Sequence, residues 1–504
     1  MSSMSATQPD SDSFRTANAG QIELVSLPES SSGSAAFQVA SSESERVNDA
    51  DIQATNEVNL PPVDGGFNAW AFLAAAFVVE GVVWGFPDAY GIFLNSYLQD
   101  PRFASQKDSA SLPPLIGTLS SGIIYCSAPI ITPIAARYPQ HRQKSMWLGV
   151  ALCSGTLIAA SYATKIWQLI ILQGVLYALG GAILYLPCIS YMSEWFVRRI
   201  GMANGILFGG TAAGGLLIPL ILPRLTSAYG LPTTLRVLGI AMAVLITPLL
   251  PFIKGRHPPT RRARVQGPVP RGAPGPRNWI RQPSFWLLIA VNSIQASAYF
   301  VPIVYLPTFA HELNLSTSKS AVTVALLNAS SIVGRLSMGY LSDTMNPWML
   351  AFSVFLSTSL TSFILWGVVS HTFVGLLVFG SVYGAVAGGW TCLWSAFVKP
   401  LAKEDVLMST TLYGYLLLSR GLGNIISTPI SARLYAAVHN RNPEFNMTSD
   451  VINSSATGFD VGDGRFGKMI IYVGTTFAGA AGVAVAGWVM DVRKRRRAGV
   501  SATL

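Results

Sequence analysis

Charge is what this 504-residue chain has least of: Asp, Glu, Lys and Arg make up 12% of it, while 51% is hydrophobic. A soluble domain carries about 25% charged residues. A soluble chain of this length also divides into domains joined by polar linkers. Here the few charges are gathered into short islands between long apolar runs, which excludes an ordinary soluble enzyme and points to a chain that crosses a membrane repeatedly. Cysteine is scarce as well. Cys126, Cys153, Cys188 and Cys392 all lie inside apolar runs, without zinc spacing or loop positions suited to a disulfide, and read as small hydrophobes. The five histidines are scattered and build no metal cluster. No G-x-x-x-x-G-K-[ST] segment is present, which argues against ATP-driven pumping. The sequence calls for no cofactor or metal, and the lack of paired catalytic groups argues against an enzyme. No early apolar core marks a cleaved signal peptide.

The formal net charge of +10 is distributed against nucleic-acid binding. The first 66 residues hold ten acidic side chains against Arg15 and Arg46, and the basic residues fall between and after the apolar runs. Twelve runs are long enough to cross a bilayer core of about 30 Å. They lie near 68–94, 112–136, 145–162, 166–190, 201–223, 234–253, 284–309, 320–341, 347–369, 373–397, 407–432 and 468–490. An even number puts both ends on one side, where 20 Lys and Arg lie against 10 on the other. The positive-inside rule makes that side cytoplasmic. Asn314, Asn446 and Asn453 begin glycosylation sequons in the expected outer loops.

The expected organisation is a disordered acidic cytoplasmic tail (1–66), a six-helix bundle (67–253), a basic Pro/Gly-rich cytoplasmic linker (254–283), a second six-helix bundle (284–490) and a basic cytoplasmic tail (491–504). The fold class is an all-α membrane protein of twelve transmembrane helices in two bundles. The expected location is the plasma membrane, with a vacuolar or other internal membrane as the alternative. The bilayer is the main macromolecular surrounding, nucleic acid is excluded, and the chain is expected to work as a monomer.

Three motifs narrow the reading. Asp64-Gly65-Gly66-Phe67 with Trp70 opens the first span. Glu194-Trp195-Phe196-Val197-Arg198-Arg199 and Gly201-Met202-Ala203-Asn204-Gly205 join the fourth and fifth. Gly334-Arg335-Leu336-Ser337-Met338-Gly339-Tyr340-Leu341-Ser342-Asp343 closes the eighth. Together they resemble the monocarboxylate-transporter-like branch of the major facilitator superfamily, fungal type, over nearly all of residues 64–490. The resemblance implies the major facilitator fold, alternating access, and a central cavity lined by spans 1, 4, 7 and 10. It also implies a gate at the cytoplasmic end of the eighth span, with Gly339, Asp343, Arg198 and Arg199 as gating candidates; the two arginines read equally as topology anchors. Gly201, Gly205 and Gly209 form one stripe on the fifth span, read as helix packing.

Two acids stand in the first span, where a charge at mid-membrane costs at least about 2.5 kcal/mol. Counted from Ala69 at 1.5 Å per residue, Glu80 lies about 16 Å deep and Asp88 about 28 Å deep. Glu80 therefore sits near the midplane and is a candidate proton carrier; the alternative is a neutral structural hydrogen-bonder. Asp88 follows Pro87 and reads equally as an interfacial helix-end acid. Proton-coupled animal members of the branch carry a Lys after Phe-Pro, where this chain has Asp88. They carry an Asp four residues before the eighth-span Arg, where it has Ser331. Arg335 is kept. The expectation is that Glu80 replaces the missing acid, that Arg335 binds an anionic group or a carboxylate, and that depth separates Asp88 from Arg335.

Trp84, Gln173, Tyr177, Asn292, Gln295, Tyr299, Trp390 and Trp394 are cavity candidates, with Arg420 and Asn424 added from the eleventh span. As a set they suit a substrate larger and more apolar than lactate. The expected function is secondary active transport of a monocarboxylate or related small organic molecule, with the proton as candidate coupling ion. The alternatives are efflux of a secondary metabolite and, in a different class, a nutrient sensor that does not transport.

Overall fold

The computed structural model of the chain describes residues 60–106, 112–256, 280–402, 406–436 and 457–501. Most of the acidic tail, most of the linker, and Asn446 and Asn453 fall outside these residues.

Among the described residues twelve rods follow one another. α1 (Gly66–Asp88) breaks at Ala89 and continues as Tyr90–Gln99. α2 is bent between Pro113–Cys126 and Ala128–Arg137. α3 is Arg142–Ala160 and α4 is Ile166–Trp195. One continuous helical stretch, Ile200–Phe252, holds two rods, α5 (200–229) and α6 (231–252), separated at Gly230. There φ is 76°, a left-handed conformation open to glycine, and Pro232 starts the next rod. The second half comprises α7 (Pro283–Glu312), α8 (Thr317–Ser342), α9 (Pro347–Trp366), α10 (Phe373–Ala402), α11 (Val406–Ala436) and α12 (Gly467–Ser501).

Eight helices among the described residues are long and apolar enough to cross a membrane, or nine if the bent α2 counts as one span. The joined α5–α6 stretch supplies two of the expected spans. α3 and α11 fall short because they carry more polar side chains, Arg142 and Lys144 in α3 and Arg420 and Arg433 in α11. α12 runs on past the expected end at 490. Arginine and lysine are good helix formers, so its basic end continues the rod rather than forming a separate tail.

Helix starts are set by local chemistry. Asn346 accepts from the Trp348 amide at 2.9 Å ahead of Pro347 in α9, and Thr372 accepts from the Gly375 amide at 3.0 Å in α10. Packing between rods relies on missing side chains. A Cβ on Gly214 of α5 would lie 2.1 Å from the Gly81 carbonyl of α1, and one on Gly334 of α8 would lie 1.8 Å from the Ala385 carbonyl of α10. The two bundles meet along α5 with α8 and along α2 with α11. The expected glycine stripe on α5 divides. Gly201 and Gly205 press on α8 at Gly339 and Arg335, whereas Gly209 and Gly210 face Phe77 of α1. A helix that turns about 100° per residue serves two neighbours with successive glycines.

Candidate functional site

The end of the bundle that carries Arg256 and Ile280, flanking the interbundle segment, is here the linker side. The three motifs converge there. Asp64 has a left-handed backbone, φ 58°, that turns its carboxylate onto the α4–α5 turn. It accepts from the amides of Val197, Arg198 and Arg199 at 2.9–3.1 Å. The side chains of Arg198 and Arg199 are exposed, and their backbone is what Asp64 holds. Asp343, at the end of α8, grips two further amides from the other bundle: Gly201 N–H donates to Oδ1 at 2.8 Å and Met202 N–H to Oδ2 at 3.0 Å. A carboxylate at a helix N-terminus satisfies free amides and the helix dipole together. Gly339 permits this approach, since a Cβ there would lie 2.5 Å from the Gly201 carbonyl. Asn204 donates to Tyr413 of α11 at 3.0 Å and Lys399 to the Val197 carbonyl at 3.0 Å, adding two more interbundle bonds.

On the opposite side, Asn424 donates to Ser121 at 3.0 Å, Thr118 and Thr428 meet at 3.3 Å, and Asn328 donates to the Gly215 carbonyl at 3.0 Å. Asn424 is thus an interbundle tie. Asn314 is exposed in the turn after α7, in a left-handed conformation.

Between these ends lie four charged side chains, three of them buried. Glu80 is 2% exposed, and its Oε1 accepts from the Thr211 hydroxyl of α5 at 2.7 Å, while Oε2 has no partner. Arg335, 7% exposed, donates through Nη1 to the Phe208 carbonyl of α5 and through Nη2 to the Tyr299 hydroxyl at 3.4 Å; its Nε has no partner. Arg420, 4% exposed, donates through Nη1 to Gln295 Oε1 at 2.9 Å and through Nε to the Tyr125 hydroxyl at 3.3 Å. Asp88 is half-buried at the α1 break. Among the described residues none of the four makes an ion pair within 4 Å.

The expectation that depth keeps Asp88 from pairing directly with Arg335 agrees with the structure: among the described residues no hydrogen bond or ion pair within 4 Å joins them.

The cavity candidates divide. Trp84 packs tilted against Tyr125 and edge-on to Tyr185, with ring centroids 4.5 and 5.7 Å away, and its Nε1 is unpartnered. Tyr299, Gln295 and Arg420 join it at the centre. Asn292 and Trp390 serve each other: Trp390 Nε1 donates to Asn292 Oδ1 at 2.7 Å, and Asn292 donates to the Leu416 carbonyl and Ser419 hydroxyl, both at 2.7 Å. That network ties α7, α10 and α11. Gln173 donates to Tyr97 at 2.7 Å, and Tyr177 to the Val83 carbonyl at 2.8 Å, bracing α4 on the first rod. Trp394 packs on Phe208 and Tyr413. Thr211, Tyr125 and Phe300 belong to the cluster without having been singled out from sequence. Only Thr211 left a signal, as the lone hydroxyl in the run Gly209-Gly210-Thr211-Ala212-Ala213-Gly214-Gly215.

Two helices change winding beside these groups. α4 widens to a π-turn at Ile170–Leu176, and α10 tightens to 3₁₀ at Gly388–Leu393. Gly388 faces Ser331 and Arg335. Irregular turns of this kind mark hinges and functional sites.

A family model described as Major Facilitator Superfamily matches residues 73–428. The chain belongs to this superfamily. Its members are membrane transporters, not enzymes. This facilitator is 29% identical over 387 residues to the MFS-type transporter hasB of Aspergillus fumigatus, covering 74% of the chain and 84% of that protein. It is 30% identical over 334 residues to the fujikurins efflux protein of Gibberella fujikuroi, covering 62% and 66%. It is 28% identical over 300 residues to monocarboxylate transporter 10 of Rattus norvegicus, covering 57% of each. The solved structure of the proton:xylose symporter XylE bound to 6-bromo-6-deoxy-D-glucose matches with a TM-score of 0.60 at 12% identity, covering 82% of this chain and 94% of that one, and supports the fold. The facilitator is a multi-pass membrane protein and a secondary transporter.

Proposed function

We propose that this facilitator moves a small organic acid, a monocarboxylate or a related molecule with an apolar body, by alternating access and in exchange with or alongside protons. One observation carries the reading: Arg420 is buried between the bundles without an ion pair among the described residues, and the rings of Tyr125, Tyr299 and Phe300 surround it. A buried unpaired cation is costly, and an incoming anion relieves that cost. Residues 67–253 and 284–490 are the two rocking halves, joined by 254–283. Asp343, with Gly339, locks the linker side. Glu80 is the proton carrier: its Oε2 is free of partners, Thr211 orients the other oxygen, and Arg335 and Asp88 act on it electrostatically. The relative named as the fujikurins efflux protein favours export of a metabolite over import. The plasma membrane, cytoplasmic ends, a monomeric unit and glycosylation at Asn314 belong to the same proposal.

The test begins with small molecules inside and outside cells in which the gene is deleted, normal or overexpressed. A compound retained in the deletion strain is then assayed for flux in proteoliposomes under an imposed pH gradient. Gradient-driven flux that loses its pH dependence in Glu80→Gln supports the mechanism. Flux with unchanged pH dependence removes Glu80 from it, and specific solute binding without any flux favours a sensor.

A further inference from the structure

The two buried guanidiniums are not equivalent. Arg335 is directed at the protein itself, at the Phe208 carbonyl of α5 and at Tyr299. It lies in the seam where α8 meets α5, and Gly205 there would place a Cβ 2.7 Å from its own carbonyl. Arg420 sits instead among rings. Its guanidinium carbon is 4.9 Å from the Tyr299 centroid, 5.5 Å from Phe300 and 5.8 Å from Tyr125. Tyr125 belongs to one bundle, and Arg420, Tyr299 and Phe300 to the other, so this group changes whenever the halves rock.

Arginine has five N–H donors. The two acceptors that meet Arg420 are a phenol and an amide oxygen, neither charged. The unpartnered buried atoms linked to it are donors too. Gln295 uses its oxygen on Arg420 and leaves Nε2 without a partner, and Trp84, its ring 4.5 Å from that of Tyr125, leaves Nε1 without one. A positive fork and two idle N–H groups, framed by aromatic faces, are short of acceptor atoms. They call for a negatively charged group with several oxygens on a planar, conjugated body.

We propose that Arg420, rather than Arg335, anchors the substrate's acid group, and that its rings select aromatic or conjugated carboxylates over short aliphatic ones. The proposal rests on the transport reading for its setting and names the substrate class for that site. Arg335 then acts in the α5–α8 seam and not as the anion anchor.

The experiment measures binding to the purified full-length protein by calorimetry, with 2-naphthoate and lactate as probes and 2-naphthylmethanol as the uncharged control. Wild type is expected to prefer 2-naphthoate to both others. Arg420→Lys keeps the charge but loses the fork and the ring contacts; losing a charge-assisted bond and a cation–π contact weakens 2-naphthoate binding about tenfold or more. Arg335→Lys is expected to change it less than about threefold, the effect of a residue outside the anchor. Gln295→Leu, which removes the idle amide and leaves every charge in place, is expected to weaken it as well, and it decides the matter if Arg420→Lys does not elute as a monodisperse protein. Equal losses from the two arginine variants, or full affinity in Gln295→Leu, would overturn the assignment. Wild type that binds neither acid overturns the substrate class, yet leaves the proteoliposome flux of another solute measurable, so the two readings fail separately.

Discussion

Asp343→Ala should open the linker side. In the structure the Asp343 carboxylate at the end of α8 receives the amides of Gly201 and Met202, in the first turn of α5, across the bundle seam at 2.8 and 3.0 Å. Hydrogen bonds to a charged group are each worth about 1.5–3 kcal/mol, and a favourable helix dipole adds about 0.3–1 kcal/mol. Losing both bonds therefore destabilises the closed linker side by about 3 kcal/mol or more, a factor above about 100 in the closed-to-open ratio. Asp343→Asn keeps an oxygen acceptor but not the charge, and should cost about 1–2 kcal/mol, about 5–30-fold. Spin labels on cysteines placed at the exposed positions Arg199 and Met345 would report the separation across the seam by pulsed electron resonance. Cys153, Cys188 and Cys392 are buried and should not label; Cys126 is replaced by Ser. The expected result is a longer-distance population that grows from wild type to Asp343→Asn to Asp343→Ala. Identical distance distributions in all three would show that the carboxylate bonds do not set the closed state, and the remaining ties, Asn204 to Tyr413 and Lys399 to Val197, would have to carry it.

Further expectations follow from the same geometry. Thr211→Val removes the hydroxyl that donates to Glu80 and should shift the pH profile of transport while leaving the fold intact, whereas Thr211→Ser should restore it; a profile unmoved by Val would detach Thr211 from the coupling. Gly214→Ala forces a Cβ to 2.1 Å from the Gly81 carbonyl and should lower thermal stability by about 1–3 kcal/mol, the usual cost of overpacking, whereas Gly155→Ala, with open space around it, should not lower it. Asp100 caps the short helix Pro101–Ala104 outside the spans, and its hydrogen bonds with Arg102 hold its carboxyl below the usual value. A depressed native pKa means this contribution is present above about pH 4 and is lost as pH falls further. Because the pair is partly exposed, Asp100→Asn should change stability by less than about 1 kcal/mol at neutral pH and flatten that acid-side loss in a thermal melt.

Membrane burial, helix number and family were legible in the sequence because each rests on a local property. Twenty apolar residues cross a bilayer whatever they touch, and the motifs around Asp64, Arg198 and Asp343 are contiguous in the chain. Glu80 stood out for the same reason, as a charge in an apolar run. Which side chains meet was decided only by tertiary structure. Helix phase and side-chain reach place Thr211 on Glu80, join Asp64 and Asp343 to opposite flanks of one turn, and bring Trp390 onto Asn292. Arg420 is the plainest case. Its sequence neighbours show a cation in a polar helix, and its meaning comes from rings on α2 and α7 that lie 295 and about 120 residues away in the chain, brought within 6 Å by packing between rods.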